Sequence, residues 1–320
     1  MSSMRAENHE PADASAAWLT VDLAALVANW QLLCRQMAPA RSGAVVKADA
    51  YGLGAGPVLN SLDQLARWQA LAREQGHALP AAIQADTGMA RLGIALPDIA
   101  LLAEAPWRIE GIEPTLIMSH LASAEEPDNP VSALQLRRFD AVRGQWPRAL
   151  GCLANSSGIF LGPAFHFDLA RPGAALYGVA PTIGKPNPMR PVVRVQARLI
   201  QSREIDAGDP VGYNHTWKAK RPSRIATVSV GYADGYLRSA SNRACLRLAG
   251  AVLPVVGRIS MDTVTVDATD VALERLLPGT PLDVIDDVQD INVLAAQAGT
   301  NAYEILTSLG MRYRRRYLTP

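Results

Sequence analysis

At 320 residues the chain has room for two domains, and 49% hydrophobic with 19% charged content is ordinary for a packed soluble protein. A formal net charge of +1 gives no large field of either sign, which argues against nucleic acid or an anionic membrane as partner and for a small ligand. Cys34, Cys152 and Cys245 stand singly without a CxxC pair, so they read as reduced, buried thiols, with no metal site and no disulfide framework.

Residues 1–16 are polar without an apolar h-region and read as a disordered leader. No stretch approaches the roughly 18 apolar residues of a membrane span, so a cytoplasmic protein is expected. Ala17 to Val21 reads as a short strand and Asp22 as the N-cap of a helix whose buried face is Leu26, Trp30, Leu33 and Met37. Ser42 to Lys47 is a second β-rich run. Ser61 and Gln64 form a capping box for a helix over Leu62–Arg73. Strand-like runs at 81–83, 115–118, 150–153 and 168–170 then alternate with helical patterns at 97–105 and 131–146, the signature of βαβ units in a parallel sheet or barrel. From about Val192 strands dominate, at 192–205, 224–230, 245–248, 251–255, 263–266 and 281–285, with helical pieces at 291–298 and 303–309. The expected domains are an α/β barrel domain over 17–191 and a mostly-β domain over 192–320. The RYRRRY cluster near the end reads as a solvated or carboxylate-paired surface.

The chemistry concentrates in GAVVKADAYGLGAG, Gly43–Gly56, where Lys47 ends an apolar strand. Barrel enzymes place catalytic groups at that edge, and partial desolvation there lowers a lysine's pKa towards that of a usable amine nucleophile or base. Taken alone, a strand-end lysine is more often a surface charge, and the glycines are a weak nucleotide-loop signal.

The surrounding sequence changes that balance. AVVKADAYGLG closely resembles the cofactor-lysine signature of alanine racemases. The resemblance continues in order through DTGMARLG, SHLASAEEPDNP, ANSSG, FDLARPGAALYG, VGYNHTW, VSVGYADGY, GRISMD and AYEILT. It implies an enzyme that interconverts L- and D-alanine with pyridoxal 5′-phosphate (PLP) and supplies D-alanine for peptidoglycan.

By the same resemblance Lys47 carries PLP and handles the α-proton of the D-enantiomer, and Tyr213 is the base on the opposite face. Two such groups are required because a proton removed from one side must return from the other. His120 and Arg171 match a relay from this tyrosine to the pyridine nitrogen. A guanidinium there leaves that nitrogen unprotonated and makes the ring a weaker electron sink. Tyr51, Ser156, Gly173, Ala174 and Tyr303 match the phosphate holders, although Ser156 also reads as an ordinary N-cap. Arg91 and Met261 match the receivers of the substrate carboxylate; His166 and His215 read as structural. The family's second domain completes the partner subunit's active site, so a homodimer is implied.

Two features depart from the pattern. Only Ala50–Gly56 separate the lysine strand from Pro57–Asn60, which matches a later element of the family, whereas a parallel crossover needs at least about 10–12 residues. Counted generously, the first domain offers six strands against the eight of a closed TIM-type barrel, so two βα units are missing and the expected fold is an incomplete barrel followed by a β domain. Either an incomplete barrel still works, or the chain is a non-catalytic PLP-binding remnant; a racemase of broader specificity shares most of these motifs. Basic amino-acid decarboxylases of related fold are disfavoured, because Arg171 stands where they need an acid. The second departure is Gln84, which replaces a frequently carbamylated lysine and can accept a hydrogen bond from Arg91 without supplying charge. Racemase activity is therefore expected to be indifferent to added bicarbonate; marked activation by bicarbonate or CO2 contradicts this reading of Gln84.

Overall fold

The computed structural model describes residues 15–43 and 57–319, and these divide into two compact units, one from Leu26 to Arg190 and one joining the residues up to Ala25 with those from Pro191 onward. Strand β1 (Ala17–Asp22) leads into helix α1 (Leu23–Met37), whose first turn is capped by the Asp22 carboxylate accepting from the Ala25 amide at 2.9 Å. The elements β2 (Arg41–Ser42), β3 (Val58–Leu59), α2 (Leu62–Gln75), β4 (Leu79–Asp86), β5 (Ile94–Ala95), α3 (Leu96–Glu104), β6 (Ile112–Met118), α4 (Pro130–Gly144), β7 (Leu150–Cys152) and β8 (Leu169–Ala170) follow.

Apart from the short β5, which pairs beside the end of β4, six parallel strands run in the order β3-β4-β6-β7-β8-β2. The β7–β8 join is made by Asp168 N donating to Gly151 O at 3.1 Å and Arg171 N donating to Ala154 O at 2.8 Å. This is the incomplete barrel wall that the strand count implies. Its two ends, β2 and β3, flank the stretch where the chain is too short for a crossover. The strands read as near-continuous apolar runs because both faces are covered: Ala81, Ala82, Ile83 and Ala85 of β4 are all buried. The core beneath them combines Ile83, Ile117 and Leu153 with Ile99 and Phe139 from the helices, and Phe139 meets the ring of Phe167 edge-on at 4.8 Å. A smaller core joins Leu33 and Met37 of α1 to Ala154, Ile159 and Leu176.

Helix α2 begins where its capping signal sits, with a modification: Gln64 N donates to the Ser61 hydroxyl at 3.2 Å, but the Gln64 side chain reaches back to the amide of Asn60.

The second unit is built on β9 (Val193–Ile205), where Val193, Val195, Ala197 and Leu199 turn inward and alternate with Arg194, Gln196 and Arg198. The remaining strands are β10 (Pro210–Val211), β11 (Trp217–Lys218), β12 (Ser223–Val228), β13 (Cys245–Leu248), β14 (Ala251–Pro254), β15 (Val264–Asp267), β16 (Pro281–Ile285) and β17 (Arg314–Leu318); helices α5 (Ile291–Ala298) and α6 (Ala302–Ser308) precede the last. The main sheet runs β14-β13-β16-β9-β1-β17, and β12 joins β9 to β15. Ala249 and Gly250, both at positive φ, form the two-residue β13–β14 turn.

Two elements differ from the sequence reading. Strand β1, expected in the α/β domain, belongs with the C-terminal unit because β9 and β17 hydrogen-bond to its two edges. The RYRRRY segment, read only as a charged surface, supplies β17. Three consecutive arginines, Arg314 to Arg316, on an edge strand remove the apolar pattern by which strands are recognised.

Candidate active site

Two clusters carry the residues singled out by sequence, one in each unit; Lys47 and Tyr51 lie outside the described residues. In the α/β unit the organising group is Arg171, immediately after β8. One terminal nitrogen donates to the Ser119 carbonyl at 2.7 Å and lies 3.4 Å from that of Leu153, while the other reaches the Cys152 carbonyl at 3.4 Å and its sulfur at 3.3 Å. All these acceptors are neutral. Burial, against the pull of Arg171, pushes the Cys152 thiol up, so the sulfur remains protonated near neutral pH. Among the described residues no carboxylate pairs with Arg171.

His120 follows Ser119 directly, so its backbone is the chain neighbour of the carbonyl that Arg171 grips just beyond the end of β6. Behind this segment lies a buried polar network that the sequence reading did not single out: Thr87, Ser119 and Gln135 are each at most 1% exposed. Its one available signal is a polar residue on the buried face of α4, where Ser132, Gln135, Phe139 and Val142 recur at helical spacing.

Ser156 is buried and its hydroxyl oxygen accepts from the amides of Gly173 (2.9 Å) and Ala175 (3.2 Å). The N-cap reading of Ser156 fails locally, because Asn155 takes the Gly158 amide at 2.9 Å and leaves the Ser156 hydroxyl to face the 173–175 turn. Ser156, Gly173 and Ala174 are thereby brought together, as expected. Among the described residues nothing accepts from the Ala174 amide at the head of the following 3-10 turn, and the Ser156 hydroxyl proton is free to donate. Asn29 of α1 steadies this turn by donating to the Leu176 carbonyl at 3.2 Å.

Arg91 sits exposed on the loop after β4. Gln84 does not accept from it; its side-chain amide donates instead to the Leu92 carbonyl at 3.3 Å, so it supports the loop through the backbone. The loop is shaped by Asp86, whose one carboxylate oxygen accepts from the amides of Gly88, Met89 and Ala90 at 2.9–3.1 Å.

In the C-terminal unit Tyr213 occupies a short loop between β10 and β11 and is 65% exposed. Gly212, Asn214 and His215 around it all have positive φ, a strained choice for the latter two and of the kind that collects at working sites. Asn242 ties this loop to the GRISMD segment, donating to the Thr216 hydroxyl at 3.2 Å and accepting from Gly257 N at 2.6 Å. Met261 is exposed, and its carbonyl accepts from Ala233 N at 3.0 Å. The turn at 231–235 fits only as glycine at both ends. A Cβ on Gly231 would lie 2.3 Å from the Met261 carbonyl oxygen, and one on Gly235, 2.1 Å from that of Ser308 at the end of the helix bearing Tyr303. Arg312 of the RYRRRY segment bridges Asp234 (3.2 Å) and Asp262 (2.7 Å), so part of that cluster is carboxylate-paired. Tyr213, Met261 and Tyr303 thus share one continuous framework. No group of three or more His, Cys, Asp or Glu among the described residues could hold a metal ion, and no helix among them is long and apolar enough to cross a membrane.

The N-terminal domain model of alanine racemase matches residues 21–61 and 55–181, and the C-terminal domain model matches 192–317. The first match comes in two pieces that meet where the chain is too short for a crossover. An alanine racemase of Rhodospirillum rubrum is 42% identical over 361 residues, covering 95% of this chain and 96% of the relative. That span exceeds this chain's 320 residues, so the relative carries segments with no counterpart here. A catabolic alanine racemase of Agrobacterium fabrum is 39% identical, covering 99% and 96%. Among solved structures, alanine racemase from Bartonella henselae, with covalently bound pyridoxal phosphate, superposes with a TM-score of 0.87 at 37% identity, covering 95% of this chain and 100% of that one. The enzyme of Streptomyces lavendulae gives 0.85 at 27%, covering 96% and 98%.

Burial opposes ionisation of Asp86, but the amides of Gly88, Ala90 and Met89, with Arg138 beyond, outweigh it and hold the carboxyl below its ordinary pKa. A folded-state pKa below the unfolded one means that the ionised group stabilises the fold at neutral pH, and that this contribution disappears as pH falls through the folded value, below about 4. Asp86→Asn is therefore expected to be less stable than the parent at pH 7, the gap closing only as pH falls below the ordinary carboxylate value in denaturant titrations. A gap independent of pH contradicts the charge-based account of this loop.

Proposed function

The chain belongs to the alanine racemase family, and on that premise we propose that it interconverts L- and D-alanine with PLP, exchanging the α-proton between the two faces of the substrate. The observation that carries this reading is the Arg171 guanidinium, anchored entirely on neutral acceptors next to His120.

The donor set fits the cofactor. The Ser156 hydroxyl and the Ala174 amide, beside Gly173, form a donor-rich turn suited to a phosphate, with Tyr51 and Tyr303 as further holders. Arg171 offers hydrogen-bond donors and no acceptor, so a ring nitrogen facing it must accept, and stays unprotonated. Lys47 is the covalent anchor. When bound, PLP supplies an electron sink for the α-carbon, a moderate one when its ring nitrogen is unprotonated.

The remaining work falls to the chain's own groups. Lys47 takes or returns the proton on the D-side; the Tyr213 hydroxyl does so on the L-side. His120 relays between that phenol and Arg171. Arg91 and the Met261 amide receive the substrate carboxylate and fix which bond to hydrogen points at each base. Tyr213 serves the Lys47 of a second copy, so the working form is a homodimer. The protein acts in the cytoplasm and its D-alanine feeds peptidoglycan. Serine or other small amino acids fit the same residues, and broader specificity is the alternative substrate reading. The six-strand wall favours a second reading, a PLP-binding remnant without turnover.

Purified protein mixed with PLP is expected to develop a visible absorption band and to epimerise L-alanine, followed by chiral chromatography. Lys47→Ala should abolish both. Tyr213→Phe should keep the band while lowering kcat by about 10²-fold or more, the usual worth of a positioned acid–base group. A parent with no band contradicts both readings and points to a structural remnant that no longer holds PLP. A band without turnover supports a PLP-binding protein that is not a racemase.

A further inference from the structure

We infer that Gln135 on α4 is a positioning residue that fixes both His120 and the carbonyl gripping Arg171; this deepens the racemase reading and rests on it. The Gln135 side chain is 1% exposed and makes three hydrogen bonds. Its oxygen accepts from Ala122 N at 2.8 Å; its nitrogen donates to the His120 carbonyl at 2.9 Å and to the Thr87 hydroxyl at 3.2 Å. The amide orientation is forced, because a backbone N–H only donates and a carbonyl only accepts. Gln135 thus grips the chain on both sides of Leu121, and the imidazole of His120 rides on the clamped segment.

The same amide heads a chain of hydroxyl protons, whose direction is fixed because the single Ser119 proton goes to the Ala85 carbonyl. Since Thr87 Oγ1 receives a hydrogen from Gln135, its own proton is free to go to Ser119 Oγ, 2.7 Å away. Ser119 in turn donates to the Ala85 carbonyl at 2.7 Å. Each hydroxyl has one proton and uses it once, so the order Gln135, Thr87, Ser119, Ala85 satisfies every member. Its result is a fixed Ser119, whose backbone carbonyl takes the shortest bond from Arg171. One buried amide therefore holds the His120 backbone directly and, through Thr87 just after β4, the Ser119 residue whose carbonyl Arg171 grips. No other residue type of this size does so: glutamate keeps the bond to Ala122 but sets an oxygen against the His120 carbonyl, and leucine makes none of the three.

The test compares the PLP-loaded parent with Gln135→Glu and Gln135→Leu, each checked for a native far-ultraviolet circular dichroism spectrum. Glutamate is nearly isosteric and provides a folded variant should leucine not be tolerated. Amide hydrogen exchange, read by mass spectrometry, should quicken in peptides covering 119–122 and remain at parental rates in the C-terminal unit. In steady state kcat should fall by about 10- to 100-fold with KM for alanine little changed, as expected when a catalytic group is displaced without loss of binding. The α-deuterium isotope effect should rise with L-alanine, whose proton goes to the tyrosine side, and stay constant with D-alanine. Parental exchange rates at 119–122, an unchanged kcat, or isotope effects that move together for both enantiomers would each overturn the inference. If the parent binds PLP but does not racemise, the functional reading fails separately, and the exchange comparison alone decides whether Gln135 holds the His120 segment.

Discussion

The α/β half of the site depends on a single bolt, the Arg171 side chain, which leaves the end of β8 and crosses to backbone carbonyls at the ends of β6 and β7. Hydrogen bonds from a charged donor are worth about 1.5–3 kcal/mol when well formed. The 2.7 Å bond to Ser119 qualifies; the contacts at 3.4 Å are weak and chiefly direct the planar group. A half-buried cation without a carboxylate is unfavourable as pure architecture, since neutral acceptors offset its lost hydration only in part. The arrangement makes physical sense where a charged donor must face a ligand acceptor without surrendering its charge to a neighbour. Structure and chemistry thus ask the same thing of one guanidinium: to remain charged, fixed and turned towards the strand ends.

The shortened wall matters less to this constraint than the strand count suggests. The missing units fall between β2 and β3, and the family match breaks at the same place. Arg171, Ser119, His120, Ser156 and Gly173 sit on or just after β6, β7 and β8, each bonded through neighbours that the gap does not touch. Among the described residues β2 and β3 each pair with one strand, and the Arg171 bolt and the 173–175 turn rest on partners outside the break.

Most elements were legible because their signals are local. Apolar runs in β4 and β6, alternation in β9, and the Ser61 cap all act within a few residues. The expected spans over 245–248, 281–285 and 291–298 coincide with β13, β16 and α5. Strand β17 was hidden because its three consecutive arginines leave no apolar pattern, and the allegiance of β1 because only pairing with β9 and β17, distant in sequence, decides it. For the candidate site, motifs singled out Arg171, His120, Ser156 and the Tyr213 loop. They were silent on how those residues are held: that Asn155 caps in place of Ser156, that Gln84 bonds backbone and not Arg91, and that Gln135 stands behind His120. Side-chain to backbone bonds spanning 15 to 52 residues leave no periodicity in a sequence.

The proposed function requires that Lys47, which lies outside the described residues, bind a cofactor seated against Arg171 and the 173–175 turn. The chain has four lysines, Lys47, Lys185, Lys218 and Lys220, so the site of attachment can be read without ambiguity. Incubation with PLP, borohydride reduction and peptide mass mapping should place about one pyridoxyl group per chain on Lys47, as one preorganised site predicts. Label scattered over the other three lysines, or none, would contradict it.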